Sequence, residues 1–253
     1  MRTGIIPDIH DKVGLAQHIM DTVPNVDQWV HLGDYFDDFP TGVKESLATA
    51  KKVKQWLADP CIVNILGNHD LSYGWGSNPQ HRCSGFTLSK WKAIHSVLTW
   101  GDWQKFVLHY WLPSEERPIL LSHAGLDKYF VPDVEDRITA IEAKINSAWF
   151  CLFDPVPANR GMGEELLGAG WDRGGRQAHG GILWCDWTNL TPPKGIDQIM
   201  GHTTIGSYPA IKQSLVHAKS TYTCYDLDTN LQHYAIVDDG VMSIHSVEDL
   251  PCR

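Results

Sequence analysis

Apolar and polar positions fall in blocks along the first third of the chain, and the period of the blocks changes. Residues 2–7 form a short apolar run that predicts a strand leading into Asp8. Val13, Ala16 and Met20 then recur at helical spacing, which predicts a helix over residues 12–23 stopped by Pro24. A second run predicts a strand over 28–33. Thr41 is placed to cap a helix reaching about Leu57, with Val43, Leu47, Ala50, Val53 and Leu57 on one stripe. Residues 61–66 are almost continuously apolar, as in a strand buried on both faces. A βαβαβ opening of this kind implies parallel strands with right-handed crossovers.

The pattern weakens afterwards. Residues 71–117 hold Gly74, Gly76 and Pro79 in an irregular stretch, followed by a predicted helix around 88–98. Trp91, Trp100, Trp103 and Trp111 fall here, either packing an inserted region or walling a cleft. Pro118 to Leu121 predicts a strand ending at His123, and Val134, Ile138, Ile141, Ile145 and Trp149 predict an amphipathic helix over 133–149. Residues 151–181, rich in Gly, Pro, Arg and Asp, read as a long surface excursion over a site. From about residue 196, short strands dominate (196–201, 208–216, 220–226, 231–237, 240–246). The turns Asp228-Thr229-Asn230 and Asp238-Asp239-Gly240 join the last three as hairpins. The expectation is an α/β (α+β) fold that closes as an antiparallel meander. It would form one domain over residues 1–253, with two mixed sheets packed face to face between outer helices and with 71–117 and 151–181 as inserts.

Composition changes this picture little. Eleven tryptophans are unusual for 253 residues, and the net charge of −9 argues against long nucleic acid or an anionic membrane as a partner. The six cysteines are scattered without a paired motif and read as reduced. No leader-like segment and no run of about 18 apolar residues is present, so a cytoplasmic protein is expected.

The chemistry lies where the apolar runs stop. Asp8-Ile9-His10, Gly33-Asp34-Tyr35-Phe36-Asp37, Gly67-Asn68-His69-Asp70, Ser122-His123 and Gly201-His202 each follow a strand-like run. A two-metal centre needs a carboxylate to bridge ions about 3.5–4 Å apart, and Asp34 is the candidate bridge. Asp8 and His10, two residues apart, can face one side and complete the ligands of one ion with Asp34. Asn68, His123 and His202, again with Asp34, would complete the second. The oxygen and imidazole donors suit Mn, Fe, Zn or Mg. His69 is placed to act as general acid, with Asp37 accepting a hydrogen bond from its other ring nitrogen. A hydroxide shared by the two metals would attack phosphorus in line with the leaving oxygen.

These residues resemble the calcineurin-like metallophosphoesterase superfamily, whose motifs run Asp-x-His, Gly-Asp-x-x-Asp, Gly-Asn-His-Asp/Glu, His and Gly-His, here over residues 4–204. Ile182-Leu183-Trp184-Cys185-Asp186 resembles an element of the PPP branch, which holds Ser/Thr protein phosphatases, bacterial and phage protein phosphatases and symmetrical diadenosine tetraphosphatases. Thr204 stands where the nuclease and cyclic-nucleotide branch has a second His. The resemblance implies an αββα sandwich, two divalent ions with Mn foremost, and hydrolysis of a phosphorylated protein or small phosphoester. It also assigns Asn68 to the phosphate as well as to a metal. The branch has Arg-Gly after the second motif to grip phosphate, whereas this chain has Asp38 and Phe39. Arg173 and Arg176, flanked by glycines, are the candidate replacements, with Lys12 a weaker one. The usual Gly before the first Asp is Pro7, and the Gly after the first His is Asp11. A dinucleoside polyphosphate hydrolase or phosphodiesterase and a non-catalytic phospholigand-binding module are the alternatives.

Overall fold

A computed structural model of the chain describes residues 1–76, 81–153, 165–216 and 219–251. The chain divides into two compact units. One comprises Met1–Val107, Thr204–Pro209 and Leu227–Arg253, and the other Leu108–Thr203 and Ala210–Asp226.

The first unit is built on β1 (Arg2–Ile6), α1 (Val13–Thr22), β2 (Gln28–His31), α2 (Val43–Trp56) and β3 (Ile62–Asn64). β1 pairs with β2 and β2 with β3, all parallel, as the opening pattern requires. The stripe of α2 differs from the expected one. Ser46, Thr49, Ala50, Val53 and Trp56 are buried, while Val43 is exposed. Polar residues occupy that face for a local reason: Thr49 Oγ1 donates to Asp11 Oδ1 at 2.7 Å, tying the helix to the loop after β1. Thr41 likewise turns its hydroxyl to Asp11 instead of capping the helix. Gly42 is the cap residue, and its N–H donates to Glu45 Oε2 at 3.0 Å.

A short helix absent from the sequence reading, α3 (Asn68–Gly74), begins inside the third motif. The helix α4 (Leu88–His95) lies within the range expected, and α5 (Trp100–Trp103) follows it. Trp103 is fully buried against Phe106, with ring centroids 5.4 Å apart, and against Trp75 at 6.1 Å. Packing is therefore the role of Trp103.

The second unit holds β4 (His109–Leu112), β5 (Ile119–Ser122), α6 (Arg137–Phe153), β6 (Asp197–Met200), β7 (Ala210–Val216) and β8 (Lys219–Asp226), with strand order β4-β5-β6-β8-β7. The sheet is mixed: β5 pairs parallel with β6, and β6 parallel with β8. The edge pairs β4–β5 and β7–β8 are antiparallel. The sequence reading did not anticipate β4. Within 151–181, residues 154–164 lie outside those described, and Leu166 and Leu167 are buried rather than part of a surface excursion.

The closing strands correct the expected meander. Here β9 (His233–Asp238) lies antiparallel to β1 in the first sheet, which runs β10-β9-β1-β2-β3, whereas β8 belongs to the second. Asp228-Thr229-Asn230 is thus no hairpin turn. Asp228 is buried and accepts hydrogen bonds from Thr204 Oγ1 and the Asn230 N–H, which holds the chain in a crossing between sheets. The turn at 238–240 does form a hairpin between β9 and β10 (Val241–Ser246). Each sheet is mixed, has five strands and is accompanied by helices, an α/β fold. Among the described residues, no helix is long and apolar enough to cross a membrane.

Gly4 sits at the centre of β1 opposite Trp29, and a Cβ there would lie 2.3 Å from two atoms of the buried indole. Gly4→Ala is expected to overpack the first sheet and lower stability by about 1–3 kcal/mol in urea unfolding. An unchanged midpoint would show that the ring moves aside freely.

Candidate metal centre

Two adjacent loops at the ends of β1 and β2 carry the first donors. The Ile9 and His10 N–H groups both donate to the Asp34 carbonyl, at 3.1 and 2.7 Å, and the Asp11 N–H donates to the Tyr35 carbonyl at 2.8 Å. The loops are locked together in an uncommon geometry. His10, Asp11 and Asp34 have φ of 42°, 59° and 48°, all in the left-handed region that costs a non-glycine residue about 1–2 kcal/mol. Strain of this kind persists where surrounding contacts hold it, and it concentrates at functional sites.

The outcome is a cluster in which one ligand atom each of Asp8, His10 and Asp34 lies within 4.8 Å of the others. Asp8 and Asp34 are buried. His10 Nδ1 is 3.0 Å from the Phe36 carbonyl, an acceptor only, so Nδ1 carries a proton and Nε2 is the ring atom turned toward the carboxylates. Nε2 stands 3.9 Å from Asp8 Oδ2 and 3.8 Å from Asp34 Oδ2. Two buried carboxylates and an oriented imidazole form a donor set that fits a hard or borderline divalent cation.

The third loop closes on Asp34. A Cβ on Gly67 would fall 2.2 Å from Asp34 Oδ1, so only glycine lets the loops approach this closely. The His69 N–H donates to that same oxygen at 2.8 Å. Asp70 ties the loops from behind, accepting from the Gly67 N–H at 2.8 Å and the Tyr35 N–H at 2.9 Å. Burial, and then the charge of Asp34, push Asp70 up to about 8. Asn68 is buried, with its amide nitrogen 3.4 Å from Cys83 Sγ, and its carbonyl accepts from the same thiol at 3.1 Å. Burial pushes the Cys83 thiol up to about 12, so it stays protonated as the donor.

His69 and Asp37 meet as the sequence reading paired them, with Nδ1 3.1 Å from Oδ2. Burial works against a charged His69, but Asp34, Asp37 and Asp70 outweigh it and raise its pKa. Burial also works to raise Asp37, yet hydrogen bonds from His69, Tyr73 and Lys90 hold it below the usual carboxylate range. Tyr73 Oη donates to Asp37 Oδ1 at 2.7 Å, and Lys90 Nζ reaches the same oxygen at 2.9 Å. Tyr73, Asp70, Cys83 and Lys90 were all missed in the sequence. Only Asp70 had a signal, since Gly67-x-x-Asp70 is the spacing of a capping box.

In the second unit, His123 and His202 are brought together at the ends of β5 and β6, with His123 Nε2 3.1 Å from His202 Nδ1. His202 also has a left-handed φ, 73°. Arg173 is no loose loop charge. Its guanidinium donates to Asp186 Oδ2 at 2.8 Å and to Thr203 Oγ1 at 2.9 Å, linking the Leu-Trp-Cys-Asp element to the residue after His202. Arg176 is exposed. Asp38, in the position of the missing arginine, pairs with Lys12 at 3.7 Å.

Gly67→Ala is expected to push Asp34 out of the cluster and weaken Mn²⁺ binding at least about tenfold, measured by calorimetry on metal-stripped protein. Unchanged affinity would show that the loop contact does not set the donor geometry.

A sequence model of the calcineurin-like phosphoesterases matches residues 1–206. No curated protein matches. The structure is similar to a metallophosphoesterase from Sphaerobacter thermophilus, at 13% identity and a TM-score of 0.48, over 97% of this chain and 88% of that one. It is similar to Yfce, a phosphoesterase from E. coli, at 11% identity and a TM-score of 0.45, over 99% and 96%. A Saccharomyces cerevisiae protein serine/threonine phosphatase with similarity to human phosphatase PP5 aligns at 11% identity and a TM-score of 0.49, over 97% and 79%. With four-fifths of its length matched, the chain belongs to the calcineurin-like phosphoesterase family, whose members are phosphoester hydrolases that use divalent metals.

Proposed function

We propose that the chain is a divalent-metal-dependent phosphomonoesterase acting on a phosphoprotein or a small phosphoester. The observation that carries this reading is the Asp37–His69 pair set beside the Asp8, His10 and Asp34 cluster: an acid for the leaving group next to a cation site. His69 Nδ1 is engaged by Asp37, which leaves Nε2–H to protonate the departing oxygen. The His69 and His10 rings stand 5.4 Å apart, so that proton lies close to the cation donors.

Asp8, His10 and Asp34 would hold one ion. Asn68, His123 and His202, again with Asp34, are assigned the second by the order of motifs along the chain. Mn²⁺ is the foremost candidate, with Fe, Zn and Mg as alternatives. Bound divalent cations would supply Lewis-acid stabilisation of the phosphoryl oxygens and an activated water. The chain's own residues then position and protonate. Asn68 would steady a phosphate oxygen, with Arg173, aimed by Asp186, and the exposed Arg176 as further phosphate-binding groups.

The test compares an aryl phosphomonoester with the matching diester, using metal-stripped protein refilled with Mn²⁺, Zn²⁺ or Mg²⁺. Monoester turnover that needs metal, falls to the buffer rate in Asp34→Asn and drops about 10²–10⁴-fold in His69→Ala is expected. A strong diester preference would replace this reading with a phosphodiesterase. No turnover with any metal, despite bound ions, would replace it with a phospholigand-binding module.

A further inference from the structure

Lys90 is a buried cation in the wrong place by every local rule. It lies in the first turn of α4, at the third helical residue, where its own N–H donates to the Thr87 cap at 3.2 Å. That end of a helix carries partial positive charge and disfavours a lysine. Its side chain is 8% exposed, and burying an ammonium costs several kcal/mol unless it is matched. The sequence has an obvious exit, since a surface residue there would serve the helix better. The match that keeps Lys90 inside is Asp37, whose side chain has no solvent exposure.

The geometry around Asp37 divides its two oxygens. Oδ1 receives Lys90 Nζ at 2.9 Å and Tyr73 Oη at 2.7 Å, while Oδ2 is left to His69 Nδ1 at 3.1 Å. Gly85 backs the carboxylate, and a Cβ there would lie 2.9 Å from Asp37 Cγ. A carboxylate pinned on one oxygen by two donors cannot rotate. Its other oxygen then holds the Nδ1–H and fixes the plane of the imidazole, which sets the direction of Nε2. From this arrangement we infer that Lys90, with Tyr73 beside it, is a positioning residue for the leaving-group acid: it clamps Asp37 so that His69 presents Nε2–H to the departing oxygen. The inference rests on the proposed role of His69 and deepens it, because the clamp comes from a helix 53 residues beyond Asp37 and outside every motif.

The experiment uses the full chain with three variants: Lys90→Met, Lys90→Arg and the double variant Lys90→Met/His69→Ala. An alkyl phosphomonoester, whose leaving group needs a proton, is compared with 2,4-dinitrophenyl phosphate, whose leaving group does not. Lys90→Met is expected to lower kcat on the alkyl ester by about 10–100-fold, to leave the dinitrophenyl ester little changed and to leave KM alone. Lys90→Arg, which restores a donor, is expected to recover most of the loss. The double variant is expected to be no slower than His69→Ala alone. Equal loss on both esters, or additive loss in the double variant, would overturn the inference. A second readout stands apart from turnover: the Nδ1–H proton of His69 in ¹⁵N-histidine-labelled protein, assigned by its disappearance in His69→Gln. Its loss in Lys90→Met and retention in Lys90→Arg uphold the clamp, and its persistence in Lys90→Met overturns it. If His69→Ala shows no leaving-group dependence, the proposed acid role fails, and the proton resonance then judges the Lys90 contact by itself.

Discussion

Everything at the first site depends on holding the Asp34 carboxylate fixed where a second carboxylate crowds it. The backbone of Asp34 is left-handed, its carbonyl takes two N–H groups from the first loop, and its carboxylate takes the His69 N–H from the third. Asp8 stands close enough that two carboxylate charges would repel by roughly 3–4 kcal/mol at an effective dielectric of about 20. Asp70 adds a further acid behind, accepting from Gly67 and Tyr35. Such crowding is sustained by backbone donors and by the absence of a Cβ at Gly67, and it is relieved when a divalent cation sits among the oxygens. The fold thus holds together charges that a metal would balance, which is why this cluster, and not its sequence motif alone, is the firmest feature of the protein.

Part of this was legible in the chain because it depends on local order. Continuous apolar runs mark β1, β2 and β3, and polar residues at their ends must lie at one edge of a parallel sheet. That reasoning reaches Asp8, His10 and Asp34 without coordinates. It fails where local pattern and tertiary demand part company. The buried face of α2 carries Ser46 and Thr49, not the expected Val43, because Thr49 serves Asp11. The seven residues of α3 are too few to display a period. The strands β8 and β9 alternate like a hairpin, yet they join different sheets, and only the buried Asp228 with its partners reveals the crossing.

The site itself was legible in its motif residues and hidden in its supports. Asp37 and His69 are readable as a pair from their motifs, but the groups that hold Asp37 are not. Tyr73 lies in the short helix that begins inside the third motif, and Lys90 lies in the next helix, where a lysine looks like an ordinary surface residue. The same holds for Arg173, whose ion pair with Asp186 and hydrogen bond with Thr203 turn a charge in a Gly-rich stretch into a fixed strut. Asp38 also has a structural consequence: it pairs with Lys12, so the first and second loops are drawn together on that side.

The measurement that bears most directly on this account is anomalous diffraction from crystals of the stripped protein soaked in Mn²⁺. The expected result is a strong peak bonded to Asp8, His10 and Asp34, with a second ion also touching Asp34. Mn²⁺ bound elsewhere on the chain, with the Asp34 carboxylate bare, would contradict the account.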